Sequence, residues 1–146
     1  MKPSILLKVF SSAVLLFPVV ADALEMPQPK LGQWEKRVQY SYDGAPRTLA
    51  GTTQLCWTAA DLESGRKILE EAIKNCSKND VRKEGSKWIN NSVCKLDSST
   101  VTAQMTREFN GENAYHDDMN LTFNPPLDEH SRVHMVTDGK WLGPCK

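Results

Sequence analysis

From Gln33 to Tyr42 the chain alternates: Trp34, Val38, Tyr40 and Tyr42 fall on one side of a period-two pattern, and Glu35, Arg37, Gln39 and Ser41 on the other. Alternation rich in aromatics predicts a half-buried strand. Asp43-Gly44-Ala45-Pro46 supplies the turn, because Gly tolerates positive φ and Pro cannot continue a ladder. A second strand is predicted from Thr48 to Trp57. The period then changes. Thr58 is placed to cap a helix with Asp61 at its third position, and Leu62, Ile68, Leu69, Ala72, Ile73 and Cys76 recur at helical spacing. Gly65 costs a helix interior about 1 kcal/mol relative to Ala, which moves the expected start toward Arg66. The apolar face of this helix is expected to cover the sheet.

Strand-like runs return from Ser77 to Glu84 and from Lys87 to Leu96, separated by Gly85-Ser86. After Asp97-Ser98-Ser99, residues 99–109 alternate, with Val101, Ala103, Met105 and Phe109 against Thr100, Thr102, Gln104, Thr106 and Glu108. The threonine side reads as a solvent face. Asn110-Gly111 predicts a tight hairpin of type I′. It leads into Ala114 to Phe123, which Asn124-Pro125-Pro126 should end, and a last strand is predicted from Arg132 to Thr137. Seven short strands with one helix after the second make the fold mainly β: an antiparallel meander forming a curved sheet or half-open barrel.

Ahead of these elements stand Lys2 and Lys8 and then an apolar stretch from Val9 to Val20, followed by Ala21-Asp22-Ala23. This is the layout of a secretory signal peptide, with cleavage expected after Ala23. A membrane-spanning helix needs about 20 apolar residues, and this run is shorter. Residues 24–146 then form one domain, located in a periplasm or secreted, with no transmembrane segment after cleavage. Its 16 basic and 17 acidic residues nearly balance, which argues against nucleic acid as a partner. Charge is uneven, however: residues 66–95 carry eight basic and four acidic side chains, and residues 108–138 carry one basic and seven acidic. We read this as two solvated faces rather than a dipolar docking surface.

Four cysteines, Cys56, Cys76, Cys94 and Cys145, lie in the exported part, and none forms a Cys-x-x-Cys pair. An even number in an oxidising compartment predicts two disulfides. Three pairings are open; Cys76 with Cys94, closing a hairpin-sized loop, and Cys56 with Cys145, tying the early part to the end, are favoured.

The chain's spaced motifs resemble a known family. Leu31-Gly32-Gln33-Trp34-Glu35 is similar to an opening Gly-x-Trp-Glu, and Thr53-Gln54-Leu55-Cys56-Trp57-Thr58 to a first cysteine block, with Cys76 and Val93-Cys94 matching two middle cysteines. Phe109 to Tyr115 resembles a Gly-Asp-x-Tyr hairpin, with Glu112 in place of Asp and one extra residue. Gly139 to Cys145 resembles a closing Gly-x-x-Leu-Gly-x-Cys. These motifs are those of the proteobacterial envelope proteins grouped as domain-of-unknown-function family 3617. The middle strands depart from the Met- and Gly-rich character of many members. The resemblance implies an exported, β-rich, two-disulfide fold and no activity.

Chemistry is sparse. No nucleophile elbow, phosphate loop or zinc-protease helix is present, so no cofactor is expected. His116 and His134 fall on polar strand faces, and His130 and His134 would stand about 13 Å apart along a strand. A metal cluster of His116, Asp118, His130 and His134 is nevertheless the one candidate for a divalent ion. Asp117 shares its phase with Tyr115, Met119 and Leu121; it is either a ligand contact or a carboxylate at the wet edge of the sheet, and the edge is favoured. Trp34, Trp57, Trp88 and Trp141 read first as core and cystine cover. Their functional reading, with Trp34, Trp88, Tyr115 and Asp117 as candidate ligand residues, is an aromatic surface for a lipid, glycan or peptide. Three functions follow: a non-enzymatic protein binding an envelope component or periplasmic protein, a metal-binding protein or metal-dependent enzyme, and an inhibitor of a cell-wall hydrolase or protease.

Overall fold

The alternating segments form seven strands and the single helical segment forms one helix in a computed structural model that describes residues 26–146. The expected signal peptide and its cleavage point lie outside the described residues. In chain order the elements are β1 (Gly32–Tyr42), β2 (Thr48–Trp57), α1 (Ala59–Ile73), β3 (Cys76–Glu84), β4 (Lys87–Leu96), β5 (Ser99–Asn110), β6 (Ala114–Leu127) and β7 (His130–Gly143). All pairings are antiparallel in one curved, unclosed sheet of order β2-β1-β7-β6-β5-β4-β3. From β3 to β7 the chain meanders; β1 then docks on β7 and carries β2 outward. The two strands that flank the helix are therefore the two edges of the sheet.

That topology explains what α1 does. Across a flat sheet six strand spacings would separate β2 from β3 by about 29 Å, and a helix of 15 residues spans about 22 Å. The helix is a strut between edges. The expectation that its apolar face covers the sheet is corrected: Ile68 is 71% exposed and Leu69 62%, and none of its residues is buried. It packs chiefly against β3. Its start is also corrected from Arg66 to Ala59. Thr58 and Asp61 complete a reciprocal capping box, each side chain bonded to the other residue's backbone amide, and the cap outweighs the cost of Gly65.

Three further boundaries differ from the sequence reading. The hairpin after β5 is a three-residue loop, Gly111 to Asn113, with only Gly111 at positive φ, because Asn110 pairs with Ala114. The additional residue lets the Asn113 carbonyl accept a bond from the Trp141 amide at 2.8 Å. β7 continues past Thr137 to Gly143. Gly139 does not end the strand; it lies between Lys36 and Tyr115 in the ladders, and the Tyr115 ring occupies the space a Cβ would need. A glycine inside a strand here serves close approach. β6 likewise runs beyond Asn124 to Leu127, although its ladder with β7 is interrupted after Thr122.

Both edges are held covalently. Cys76–Cys94 joins β3 to β4, and Cys56–Cys145 crosses over β1 from β2 to the segment after β7. The sequence separations are 18 and 89 residues, and chain-entropy loss on that basis is worth about 3 and about 5 kcal/mol respectively. Replacing Cys56 and Cys145 together by Ala should therefore cost more in urea-unfolding free energy than replacing Cys76 and Cys94. Equal or reversed costs would contradict the loop-length account.

Candidate functional site

Direct cross-strand neighbours share a face, so the ladders assign one face of the sheet row by row. The uppermost rows hold Trp57, Leu55, Trp34 and Trp141 on β2, β1 and β7. Below them, Lys36, Gly139, Tyr115 and Phe109 stand across β1, β7, β6 and β5, followed by Val38, Thr137, Asp117, Arg107 and Trp88. The next row is Tyr40, Met135, Met119, Met105 and Asn90, and beneath it lie Tyr42, Val133, Leu121 and Ala103. Phe123 and Val101 close the face. An aromatic end and an aliphatic, methionine-rich end are separated by a charged stripe.

The stripe is organised by Arg107 and Asp117. Nε and Nη2 of Arg107 donate to the two carboxylate oxygens of Asp117, each at 2.6 Å. Asp117 is only 9% exposed. The wet-edge position expected for Asp117 is thus corrected: β6 is the middle of the sheet, and the carboxylate is buried because a guanidinium neutralises it. The guanidinium also stands 4.9 Å from the Tyr115 ring. Burial works to lower the Arg107 pKa, but the hydrogen bonds it donates to Asp117 and the charge of that carboxylate together outweigh it and the value rises. Burial, with the Asp117 charge behind it, pushes the Tyr115 phenol up to about 12.

Lys36 lies beside this pair. Burial lowers its pKa, and Arg107 adds to that effect while Asp117 opposes it. Its Nζ sits 4.9 Å from the Trp57 ring centroid. Among the described residues Lys36 makes no ion pair. Lys83 of β3 ends the lower row across from Trp88, its Nζ 5.5 Å from that ring, so the stripe holds three cations and one carboxylate, with Lys83 exposed at the sheet edge.

Trp34, Trp88, Tyr115 and Asp117 all lie on this face. Trp34 is fully buried, its ring 5.4 Å from that of Tyr115, and its indole N–H donates to the Lys30 carbonyl at 2.8 Å. It belongs to the core. Trp88 is half-buried and lies directly across from Arg107. Only Trp34, Tyr115 and Val136 are buried apolar residues among those described, whereas Met105, Met119, Met135, Leu121, Val133, Phe123 and Val101 are half-exposed. Arg107, Lys36 and the edge residue Lys83, which sequence reasoning missed, carry the positive charge of the face.

The histidines are placed separately on or near the polar face. His134 Nε2 meets Asp118 at 3.0 Å, His116 Nδ1 meets Asp138 at 2.7 Å, and His130 Nδ1 meets Asp43 at 3.0 Å. Two of the four candidate metal residues come together and two do not. Among the described residues no group of three or more His, Cys, Asp or Glu is arranged to hold a metal ion, which removes the basis of the metal reading. Asp43 serves the fold instead, since its Oδ1 accepts from the Ser131 and Arg132 amides and latches the β1–β2 turn to the start of β7. The hydrogen bond from His130 holds its carboxyl below the usual range. An open hollow of about 500 Å³ between Phe109, Tyr115, His116 and Asp138 sits at the hairpin end of β5 and β6.

Among the described residues, fold and site together define a disulfide-stapled, single-layer antiparallel sheet with one open amphipathic face. Residues 27–145 match the family described as protein of unknown function (DUF3617), and the chain belongs to that family. No curated protein and no solved structure matches it.

Removing Arg107 leaves the Asp117 carboxylate without its partner, a change worth about 3 kcal/mol for a buried pair. Arg107→Met should lose about that much by denaturant unfolding, and adding Asp117→Leu should recover most of it. A double variant as unstable as the single one would refute pairing as the cause. The phenol makes a separate prediction. Between the unfolded value of 10.0 and the folded value of about 12, the unfolded chain releases a proton that the folded chain keeps, so stability falls as pH rises through that window. The tyrosinate absorbance of the native protein should show a late step near pH 12 that Tyr115→Phe abolishes.

Proposed function

We propose that this chain is an exported periplasmic protein without catalytic activity that binds an envelope component or a protein partner on the apolar face of its sheet. The observation that carries the reading is the half-exposed apolar face: among the described residues, three methionines, Leu121, Val133, Phe123 and Val101 have no second layer over them. A sheet face of this composition is ordinarily covered by a helix or another sheet, and an apolar patch left open on a small domain marks an interaction surface. Export is supported by the leader pattern and by the use of all four cysteines in cystines. Among the described residues no helix is long and apolar enough to cross a membrane.

The test uses the uncharged polarity probe Nile red with the purified chain. Binding with a blue-shifted emission is expected, and Met119→Glu, which places a carboxylate in the middle of the patch, should weaken it by roughly tenfold or more. A folded protein that leaves the probe in a water-like environment would refute the reading.

A further inference from the structure

We infer that the open face takes a long-chain carboxylate, with its head beside the Lys36 ammonium and its acyl tail laid along Val38 and Tyr40 to Met135, at the near end of the methionine row. The inference rests on the reading of this face as the binding surface, and names the ligand class. Charge is the first argument. Arg107 and Asp117 satisfy each other, whereas Lys36 is half-buried beside them with only the Trp57 ring as partner. A singly charged anion at that position would offset the positive charge at Lys36 and give the ammonium a charge-assisted bond in partly dry surroundings.

Length is the second argument. Lys36 precedes Tyr40 by four residues on β1, and Tyr40 is in register with Met135, Met119 and Met105. The methionine row therefore begins about 13 Å from the level of Lys36, and the row of Phe123 and Val101 lies about 13 Å further. A tail that fills one leaflet of a bilayer is about 15 Å long, so from the level of Lys36 it would run along Val38 and Tyr40 and end against Met135 on the neighbouring strand.

Chemistry of the surface is the third. Methionine is unbranched and adapts to chains of undefined shape. A peptide laid across this face would bury amides that the face cannot satisfy, because the backbone groups of β5, β6 and β7 are committed to their ladders. A hydrocarbon tail carries no such groups. Peptides add at sheet edges, and here the edge strand β3 is charged, with Lys78, Asp80, Arg82, Lys83 and Glu84, which discourages strand addition.

Displacement of Nile red from the full mature chain by laurate, monolaurin and dodecyltrimethylammonium tests the inference, since the three share a tail and differ in charge. Laurate should bind about tenfold more tightly than monolaurin, the size of effect one charge-assisted bond supplies, and dodecyltrimethylammonium most weakly. Lys36→Met should abolish the preference of laurate over monolaurin, and Lys36→Arg should retain it. Equal binding of laurate and monolaurin, or a preference that survives Lys36→Met, would overturn the inference and leave the open-face reading standing. If the probe binds but none of the three displaces it, the ligand is not an acyl chain. If the probe itself does not bind, the open-face reading is what has failed.

Discussion

A sheet of one layer can shelter only what its own curvature encloses, and most of this molecule follows from that constraint. Seven strands carry an alternating pattern that asks for a covered face, yet the one helix is used to join β2 to β3 at opposite edges. Burial is then concentrated where β1, β7 and β6 lie side by side: Trp34 under Tyr115, Tyr115 on Gly139, and Thr137 beside Asp117. Away from that centre the apolar side chains are half-dry, and stability has to come from elsewhere. The two cystines supply it at the edges, where an open sheet frays first.

Within the buried centre a bidentate ion pair stands where a hydrophobic pair would be easier to accommodate. A neutral pair of similar volume would avoid the desolvation of two charges. What Arg107 and Asp117 add is a polar line across an otherwise apolar surface, dividing the aromatic end from the methionine end. Lys36 adds positive charge to that line, and burial, with Arg107 adding to its effect, lowers its pKa. An anion offsets that charge, and an uncharged ligand does not.

Much of the fold was legible because strand period is a local property. The strands β2 and β4 fall on the predicted residues, the strand count and helix position hold, and the cystine pairing is the favoured one. The helix packing was not legible, because amphipathic spacing in Leu62 to Cys76 says that a face is apolar but not that anything lies opposite it. Gly139 reads as a stop in the sequence because its partner, the Tyr115 ring, comes from another strand. The charged stripe was half legible. Asp117 stands out by its phase among Tyr115, Met119 and Leu121, and the same test applied to Lys36, between Trp34 and Val38, and to Arg107, between Met105 and Phe109, would have found both. That Arg107 meets Asp117 depends on the β5–β6 register, which a loop one residue longer than the predicted turn sets. The histidines illustrate the reverse case: their sequence neighbours suggest convergence, and strand geometry distributes them to three separate aspartates.

The central claim is that the methionine face is open to solvent. It is tested most directly by recording the methyl resonances of Met105, Met119 and Met135 in the ligand-free protein while a soluble, uncharged nitroxide is added. The account predicts that all three broaden together, well before residues beneath the Trp34–Tyr115 contact are affected. Three methyl signals that stay sharp while surface residues broaden would mean that the face is covered in solution, and the account would be wrong.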